Sequence, residues 1–217
     1  MRYNFGPTSH EPLAQERGTF TYHFDADHHV WETLGTKETG TSAFVLPENT
    51  ALTLPDGMPE TYKEICRSGI EGDKDYAFQL KPTFTVLASY QKPFTAVPPG
   101  KYRVRLLFIE PTATAVGQRV MEVSLDDAAV VPPDRIDIFR ETGGHNRILE
   151  RVYDVEVGSA GMVKVTLKPL AGKILLCGAV LEPVSRPQRE KKPITSEPSA
   201  GEKKSNSAKI ELPKSTS

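Results

Sequence analysis

The second half of the chain alternates apolar and polar side chains with the period of a β-strand. Residues 101–109 place Tyr102, Val104 and Leu106 on one face and Arg103 and Arg105 on the other. The same reasoning predicts further strands over residues 119–125, 135–139, 148–157, 162–168 and 174–181. The glycines and small residues of 158–161 predict the loop of an antiparallel hairpin between two of these strands.

The first half carries a weaker pattern. It predicts a strand over 19–24, weak strands over 43–46 and 51–54, a loop over 28–41 and a short helical turn near 59–63. No segment shows the apolar stripe of an amphipathic helix. A strand about every ten residues, with turns between, predicts an all-β, antiparallel β-sandwich.

Composition changes abruptly at Val184. Residues 184–217 are rich in Lys, Ser, Pro and Glu and have almost nothing to bury, so they are expected to form a disordered tail. The tail holds eight basic and four acidic residues, whereas the rest holds 19 basic and 24 acidic. The expected organisation is therefore one β-sandwich domain over 1–183 and a basic tail over 184–217, available to a protein partner or neighbouring domain.

Charge and hydropathy exclude several classes of protein. A net charge of −1 argues against a nucleic-acid partner, and no apolar run is long enough for membrane insertion. The first residues lack the apolar core of a signal peptide, so the compartment is unknown: the chain is expected to be cytoplasmic or an excerpt of a longer secreted or envelope protein.

Cys66 and Cys177 make no zinc site. Cys177 lies in an apolar run that predicts a buried free thiol, with a Cys66–Cys177 disulfide as the alternative.

One segment has the composition of a metal site. On a strand, His23, Asp25, Asp27 and His29 would project to one face as nitrogen and oxygen ligands. The alternative is a polar strand end that runs into a loop. Asp25 or Asp27 would also suit a structural calcium ion, which carboxylate oxygens bind. No other cofactor is indicated.

Catalytic signatures are absent from the sequence. It contains no G-x-S-x-G, no H-E-x-x-H and no glycine-rich phosphate loop, and nothing pairs its carboxylates. The chain is not expected to be an enzyme on its own, although it could be part of one.

Five segments in order resemble the malectin family of galactose-binding-like, carbohydrate-binding domains. They are 75–78 (DYAF), 97–110 (VPPGKYRVRLLFIE), 117–123 (GQRVMEV), 136–144 (IDIFRETGG) and 176–181 (LCGAVL), and the opening Tyr3–Pro7 is similar to the start of related domains. The resemblance implies a jelly-roll β-sandwich with a lectin-like function.

The chain departs from the family at the sugar site. The resemblance implies two aromatics where Pro111–Ala113 stand, a tyrosine where Ser68 stands and an acid at Gly172. Since sugar rings stack on aromatic faces, losing these platforms should remove the usual disaccharide site. Glu110 matches the strand-end Glu of the family. Asp137 matches its corner Asp, for which a turn-stabilising role is favoured.

The remaining candidates for a glycan platform are scattered along the chain. We predict ligand binding by residues drawn from Trp31, Tyr62, Tyr90, Phe94 and Glu110. Tyr90 and Phe94 fall in a stretch, 81–97, that is longer than the family usually has.

Three functions remain open from the sequence. The first is a non-catalytic carbohydrate-binding module of malectin type whose glycan, an oligosaccharide or polysaccharide, is unknown. The second is a protein–protein interaction or architectural β-sandwich that has lost the sugar site. The third is an accessory domain of a larger carbohydrate-active enzyme.

Overall fold

The fold was analysed in a computed structural model of the chain. The structure describes residues 2–5, 21–24, 30–33, 41–80, 97–126 and 132–184. The tail over 184–217, apart from Val184, lies outside these ranges, as do Asp25, Asp27, Tyr90 and Phe94.

The largest layer is a six-stranded sheet in the order β10-β7-β13-β1-β3-β2. Its strands are β1 (Arg2–Asn4), β2 (Thr21–Phe24), β3 (Val30–Thr33), β7 (Gly100–Ile109), β10 (Ile148–Val157) and β13 (Gly178–Pro183). Neighbouring strands are antiparallel except β1 and β3, which are parallel.

Two smaller sheets complete the described fold. A four-stranded sheet has the order β6-β11-β8-β9 and a three-stranded sheet the order β12-β5-β4. Their strands are β4 (Thr41–Val45), β5 (Ser68–Gly72), β6 (Tyr76–Leu80), β8 (Val120–Asp126), β9 (Asp134–Ile136), β11 (Val163–Ala171) and β12 (Ile174–Leu176). The helices are α1 (Thr61–Ile65), which confirms the predicted helical turn, and α2 (Ile138–Thr142).

The core lies between the six- and four-stranded sheets. In β6, Tyr76, Phe78 and Leu80 are buried while the alternate residues are exposed, as the period of a strand requires. The ring of Phe5, just after β1, meets Phe78 edge-on at 4.7 Å between centroids and Tyr76 at 6.3 Å. These contacts join the two sheets, and the predicted antiparallel β-sandwich is confirmed.

Strand directions define the two ends of the sandwich. β7 ends at Ile109, and the antiparallel β13 begins with Gly178 opposite Leu107 and finishes with Pro183 opposite Tyr102. The backbone of Val184 then donates to the carbonyl of Lys101 at 3.0 Å. The chain therefore leaves β13 at the end opposite to the one where β7 finishes.

Several sequence predictions were wrong in detail. Residues 158–161 do not form a hairpin, because β10 pairs with β7 whereas β11 pairs with β6 and β8, in another sheet. The predicted strand at 135–139 stops at Ile136, and α2 follows because Asp137 caps a helix. The run 174–181 is two strands in two sheets, separated at Cys177.

The first half needed two corrections. Trp31, predicted in a loop, lies in β3 and pairs with His23 of β2. Residues 51–54 form only a single bridge, between Thr53 and Arg147, instead of a strand. Residues 30–33 and 51–54 pair over only a few positions, so their sequences show little alternation of apolar and polar residues.

Candidate functional site

Three segments meet at the end of the sandwich where β7 finishes, and we call them the loop end: residues 46–60, 110–119 and 137–147. The backbone of Asn146 donates to the carbonyl of Glu110 at 2.8 Å, and Thr53 donates to the carbonyl of Asn146 at 3.0 Å. Ile148 in turn donates to the carbonyl of Thr53 at 2.9 Å. These bonds tie the three segments into one surface.

Glu110 holds the second segment from inside. Glu110 is fully buried, and its Oε2 accepts a hydrogen bond from Nε of Arg119 at 2.6 Å. Arg119 is itself only 7% exposed. Its Oε1 accepts the backbone N–H groups of Thr112 at 2.9 Å and Ala113 at 2.8 Å. Both oxygens are thus committed to protein donors, so Glu110 fixes the loop and does not face a ligand.

We call the contacts of Glu110 with Arg119, Thr112 and Ala113 the clamp. Arg119 extends the clamp to the turn that contains Lys173. Its Nη2 donates to Oγ1 of Thr112 at 3.1 Å and its Nη1 donates to the carbonyl of Lys173 at 3.3 Å. Nζ of Lys173 lies 2.8 Å from Oε1 of Glu71, which joins β5 to the same network. A buried guanidinium with partners on both sides gives segment 110–119 one conformation.

Asp137 joins the second segment to the third. Its Oδ1 accepts the backbone N–H of Arg140 at 3.0 Å and so caps α2, while its Oδ2 accepts the N–H of Gly117 at 2.8 Å. The turn-stabilising role favoured for this carboxylate is the one observed. The buried carboxylates of Glu110 and Asp137 therefore both hold segment 110–119 in place at the loop end.

An open cleft lies in the first segment. It has a volume of about 390 Å³, and its lining includes the ionisable residues Asp56, Glu60 and Lys63. Nζ of Lys63 lies 2.8 Å from Oε2 of Glu60, whereas Asp56 forms no ion pair with another residue in the part of the chain that the structure describes. The volume falls within the usual range of small-ligand sites.

The structure does not bring the predicted ligand residues together. Tyr62 lies in α1 and is 5% exposed; burial and then the nearby Glu150 carboxylate raise its pKa above the ordinary value of 10.0. Glu110 is buried in the clamp described above. Trp31 lies in β3, whereas Tyr90 and Phe94 lie outside the described residues.

The predicted calcium ligands, Asp25 and Asp27, also lie outside the described residues, so that site stays a prediction. Within the parts of the chain that the structure describes, no group of three His, Cys, Asp or Glu side chains could hold a metal ion. In the same parts, no helix has the length and apolar character to cross a membrane.

Sequence reasoning did not identify two apolar side chains with exposed surface at the loop end. Phe139 is half-buried in α2, beside the capping Asp137, and Val116 is 51% exposed in the clamped segment. Asp137 was the available signal for α2, because Asp is a common N-cap residue and its Oδ1 accepts the N–H of Arg140 at 3.0 Å. The predicted strand over 135–139 included both Asp137 and Phe139.

The exposed apolar side chains are aliphatic. Among residues whose burial the structure describes, the large hydrophobic ones that are exposed are Val45, Val116, Val152, Leu170 and Val184. No fully exposed aromatic platform is present in that part of the chain. The aromatic stacking surface expected of a sugar site must then involve half-buried rings such as Phe139, or residues beyond the described ranges.

Comparison with known proteins supports the resemblance drawn from the sequence. The family model of the malectin domain matches residues 86–177, which include β7 to β12 and the clamped segment. The malectin-like character predicted from the motifs is therefore confirmed over this range. No curated protein sequence matches the chain significantly.

Solved structures show the same fold at low sequence identity. The ANX1 ectodomain from Arabidopsis thaliana aligns with a TM-score of 0.58 and 13% identity, over 83% of this chain and 47% of that one. A chain in the structure of the plant peptide RALF23 in complex with FER and LLG2 aligns with a TM-score of 0.55 and 16% identity, over 83% and 47%. Bacteroides uniformis β-glucuronidase 2 aligns with a TM-score of 0.50 and 14% identity, over 85% of this chain and 18% of the enzyme. The chain thus spans about half the length of the plant structures that it matches.

Proposed function

We propose that this malectin-like β-sandwich is a non-catalytic binding module that recognises a glycan through its loop end. The observation that carries the proposal is the clamped segment 110–119, held by Glu110 and Asp137 beside an open polar cleft. A rigid loop surface next to a concave one suits ligand binding, because little conformational entropy is lost on association.

The proposed site differs from the family's usual disaccharide site. Pro111–Ala113 supply no ring for stacking, and the acid implied by the resemblance is replaced by Gly172. Phe139 would supply a ring face, and Asp56 would accept hydrogen bonds from sugar hydroxyls in the cleft. Trp31, Tyr90 and Phe94 remain proposed as further platforms.

A glycan-array screen of the full chain tests this function. Binding to a defined glycan that weakens in Phe139→Ala or Asp56→Asn would support the loop end. The matched control is Asp154→Asn, because Asp154 pairs with Arg103 on β10 and β7, away from the loop end. Binding lost only in Trp31→Ala would move the site to β3. A folded protein that binds no glycan would contradict the proposal.

A protein partner is the second candidate function. The exposed aliphatic Val116 at the loop end, and the lack of fully exposed aromatics among residues of described burial, favour it over sugar stacking. One matching structure contains a peptide complex, RALF23 with FER and LLG2. Under this alternative, Val116→Asp would abolish capture of the partner while leaving the fold intact.

Attachment to a larger protein is compatible with either function. Because the matching β-glucuronidase 2 is much longer than this chain, we keep the accessory-domain hypothesis. A longer reading frame that encodes a carbohydrate-active enzyme would support it. The same reading frame would show whether the module belongs to a secreted or envelope protein.

A further inference from the structure

Two buried cysteines lie apart from the loop end and have no role in the proposed binding function. Cys66 ends α1, and Cys177 is the single residue between β12 and β13. Both side chains are free thiols with no exposed surface. They are the two cysteines of the whole chain, so any disulfide within it must join this pair.

The sheet register brings these residues together. β12 and β5 are antiparallel, with Leu176 opposite Ile70, so Cys177, the next residue, lies beside the start of β5, which includes Gly69. Gly69 follows Cys66 by only three residues. The approach of the two backbones is close here, because a Cβ added to Gly69 would lie 2.4 Å from the carbonyl oxygen of Leu176.

The side chains complete this approach. The two thiols lie near enough for the Cys66 side chain to contribute, as a hydrogen-bond partner, to the raised pKa of Cys177. A thiol pair in contact between a helix end and a strand junction needs only a short closing movement to reach bonding distance. The contact also joins positions far apart in the sequence, which is the arrangement in which a cross-link removes most entropy from the unfolded chain.

We propose that Cys66 and Cys177 are a disulfide-forming pair, oxidised when the chain folds in the presence of a disulfide oxidant such as oxidised glutathione. One thiolate attacks the oxidant and displaces a thiol to form a mixed disulfide, and the other thiolate then displaces the second thiol. The protein loses two protons and two electrons, and the oxidant disulfide takes them up and is reduced to two thiols. The bond would persist in an oxidising compartment and be absent in a reducing one.

Burial determines when the reaction takes place. Burial raises the pKa of the Cys177 thiol well above its ordinary range, and the hydrogen bond to Cys66 adds to this effect. In the folded, reduced protein the Cys177 thiol therefore stays protonated at neutral pH, and burial of both thiols gives an oxidant no access. Oxidation should accompany folding, and the completed bond should resist reductants until the protein unfolds.

The test compares two routes to oxidation of the full chain. Reduced protein is either refolded from denaturant in a glutathione redox buffer or kept folded in the same buffer. Remaining thiols are alkylated under denaturing conditions, and peptides are mapped by mass spectrometry without reduction. We expect a Cys66–Cys177 cross-linked peptide after refolding, with at least tenfold less in the protein kept folded.

Stability provides a second measurement that needs no variant. The oxidised protein should melt on the order of 10 °C above the reduced protein, because the closed loop is long. Cys66→Ala and Cys177→Ala each leave one thiol, and neither should show the redox-dependent shift. Free thiols or glutathione adducts in the correctly refolded wild-type protein, or the same redox-dependent shift in either single-cysteine variant, would overturn the proposal.

Discussion

The guanidinium of Arg119 and the carboxylate of Glu110 form an ion pair of 2.6 Å inside the protein, nine residues apart in the sequence. Each side chain also forms a hydrogen bond with a backbone group, Glu110 with the N–H of Ala113 and Arg119 with the carbonyl of Lys173. Neither charge therefore faces solvent or a ligand. The pair converts segment 110–119 from a long connection into a fixed part of the loop end. Its energetic role can be measured directly.

Neutralising one partner should be costly. Glu110→Gln leaves the buried Arg119 charge without its carboxylate, so we expect the free energy of unfolding to fall by about 3–5 kcal/mol. Urea denaturation monitored by circular dichroism measures the loss. Asp154→Asn, which breaks the exposed pair with Arg103, is the matched control and should change stability little. Equal effects in the two variants would show that the clamp is not a stabilising feature.

A side chain at Gly172 should disrupt the same region by sterics. Gly172 has φ of +66°, and a Cβ there would lie 2.5 Å from the carbonyl oxygen of Gln118. Gly117 has φ of +87° with nothing near its missing Cβ, so Gly117→Ala should cost about 1–2 kcal/mol from backbone strain alone. Gly172→Ala should cost more than this in thermal or chemical denaturation. A smaller loss of stability in Gly172→Ala would mean that segment 110–119 shifts readily to make room for the added methyl group.

The pH dependence of stability should reflect Tyr153. Burial raises its pKa above the ordinary value of 10.0, and the Asp134 carboxylate, which accepts its hydroxyl at 3.0 Å, adds to the shift. Below pH 10 both folded and unfolded chains keep the phenol proton. Above it only the unfolded chain releases the proton, so stability falls as pH rises.

Removing the phenol tests that assignment. Tyr153→Phe should lose about 1 kcal/mol at neutral pH, from the missing hydrogen bond, and should lose less additional stability than the wild type above pH 10. Urea denaturation at a series of pH values gives both quantities. Tyr62, whose pKa is also raised, should retain part of the alkaline dependence. Parallel curves for the two proteins would refute a role for Tyr153.

The contact between Phe5 and the four-stranded sheet should be a main determinant of stability. Phe5→Ala removes a fully buried ring that meets Phe78 and Tyr76, so we expect a loss of about 3–5 kcal/mol. Phe5→Leu keeps most of the volume and should cost less, and Val45→Ala, at an exposed site, should have little effect. Thermal denaturation provides the comparison. A small loss in Phe5→Ala would show that β1 docks weakly.

Strands with one buried face could be predicted because alternation is visible in the sequence. β10 was predicted over its observed bounds, and β7 within one residue. The run 174–181 gave no such signal, because residues at both strands are buried on both faces and the change of sheet at Cys177 leaves the pattern continuous. Sequence periodicity therefore indicated the strands but not their assignment to sheets.

The candidate site was harder to predict for a related reason. A strand-end carboxylate such as Glu110 looks the same in sequence whether it meets a ligand or a buried arginine, and only the fold identifies Arg119 as its partner. Tyr62 similarly looks like an exposed aromatic until α1 is placed against the core. Phe139 was missed because Ile136–Phe139 reads as apolar strand when the capping role of Asp137 is not considered.

The direction of β13 has a mechanical consequence. A chain that continues beyond Val184 leaves the sandwich at the end opposite to the loop end. A ligand held at the loop end would then load the domain along its strands, and the hydrogen bonds between β13 and its neighbours β7 and β1 would be pulled in shear. Shear loads many such bonds at once, whereas peeling breaks them in turn. A pull applied between Val184 and the loop end would therefore load β13 in shear along its whole length.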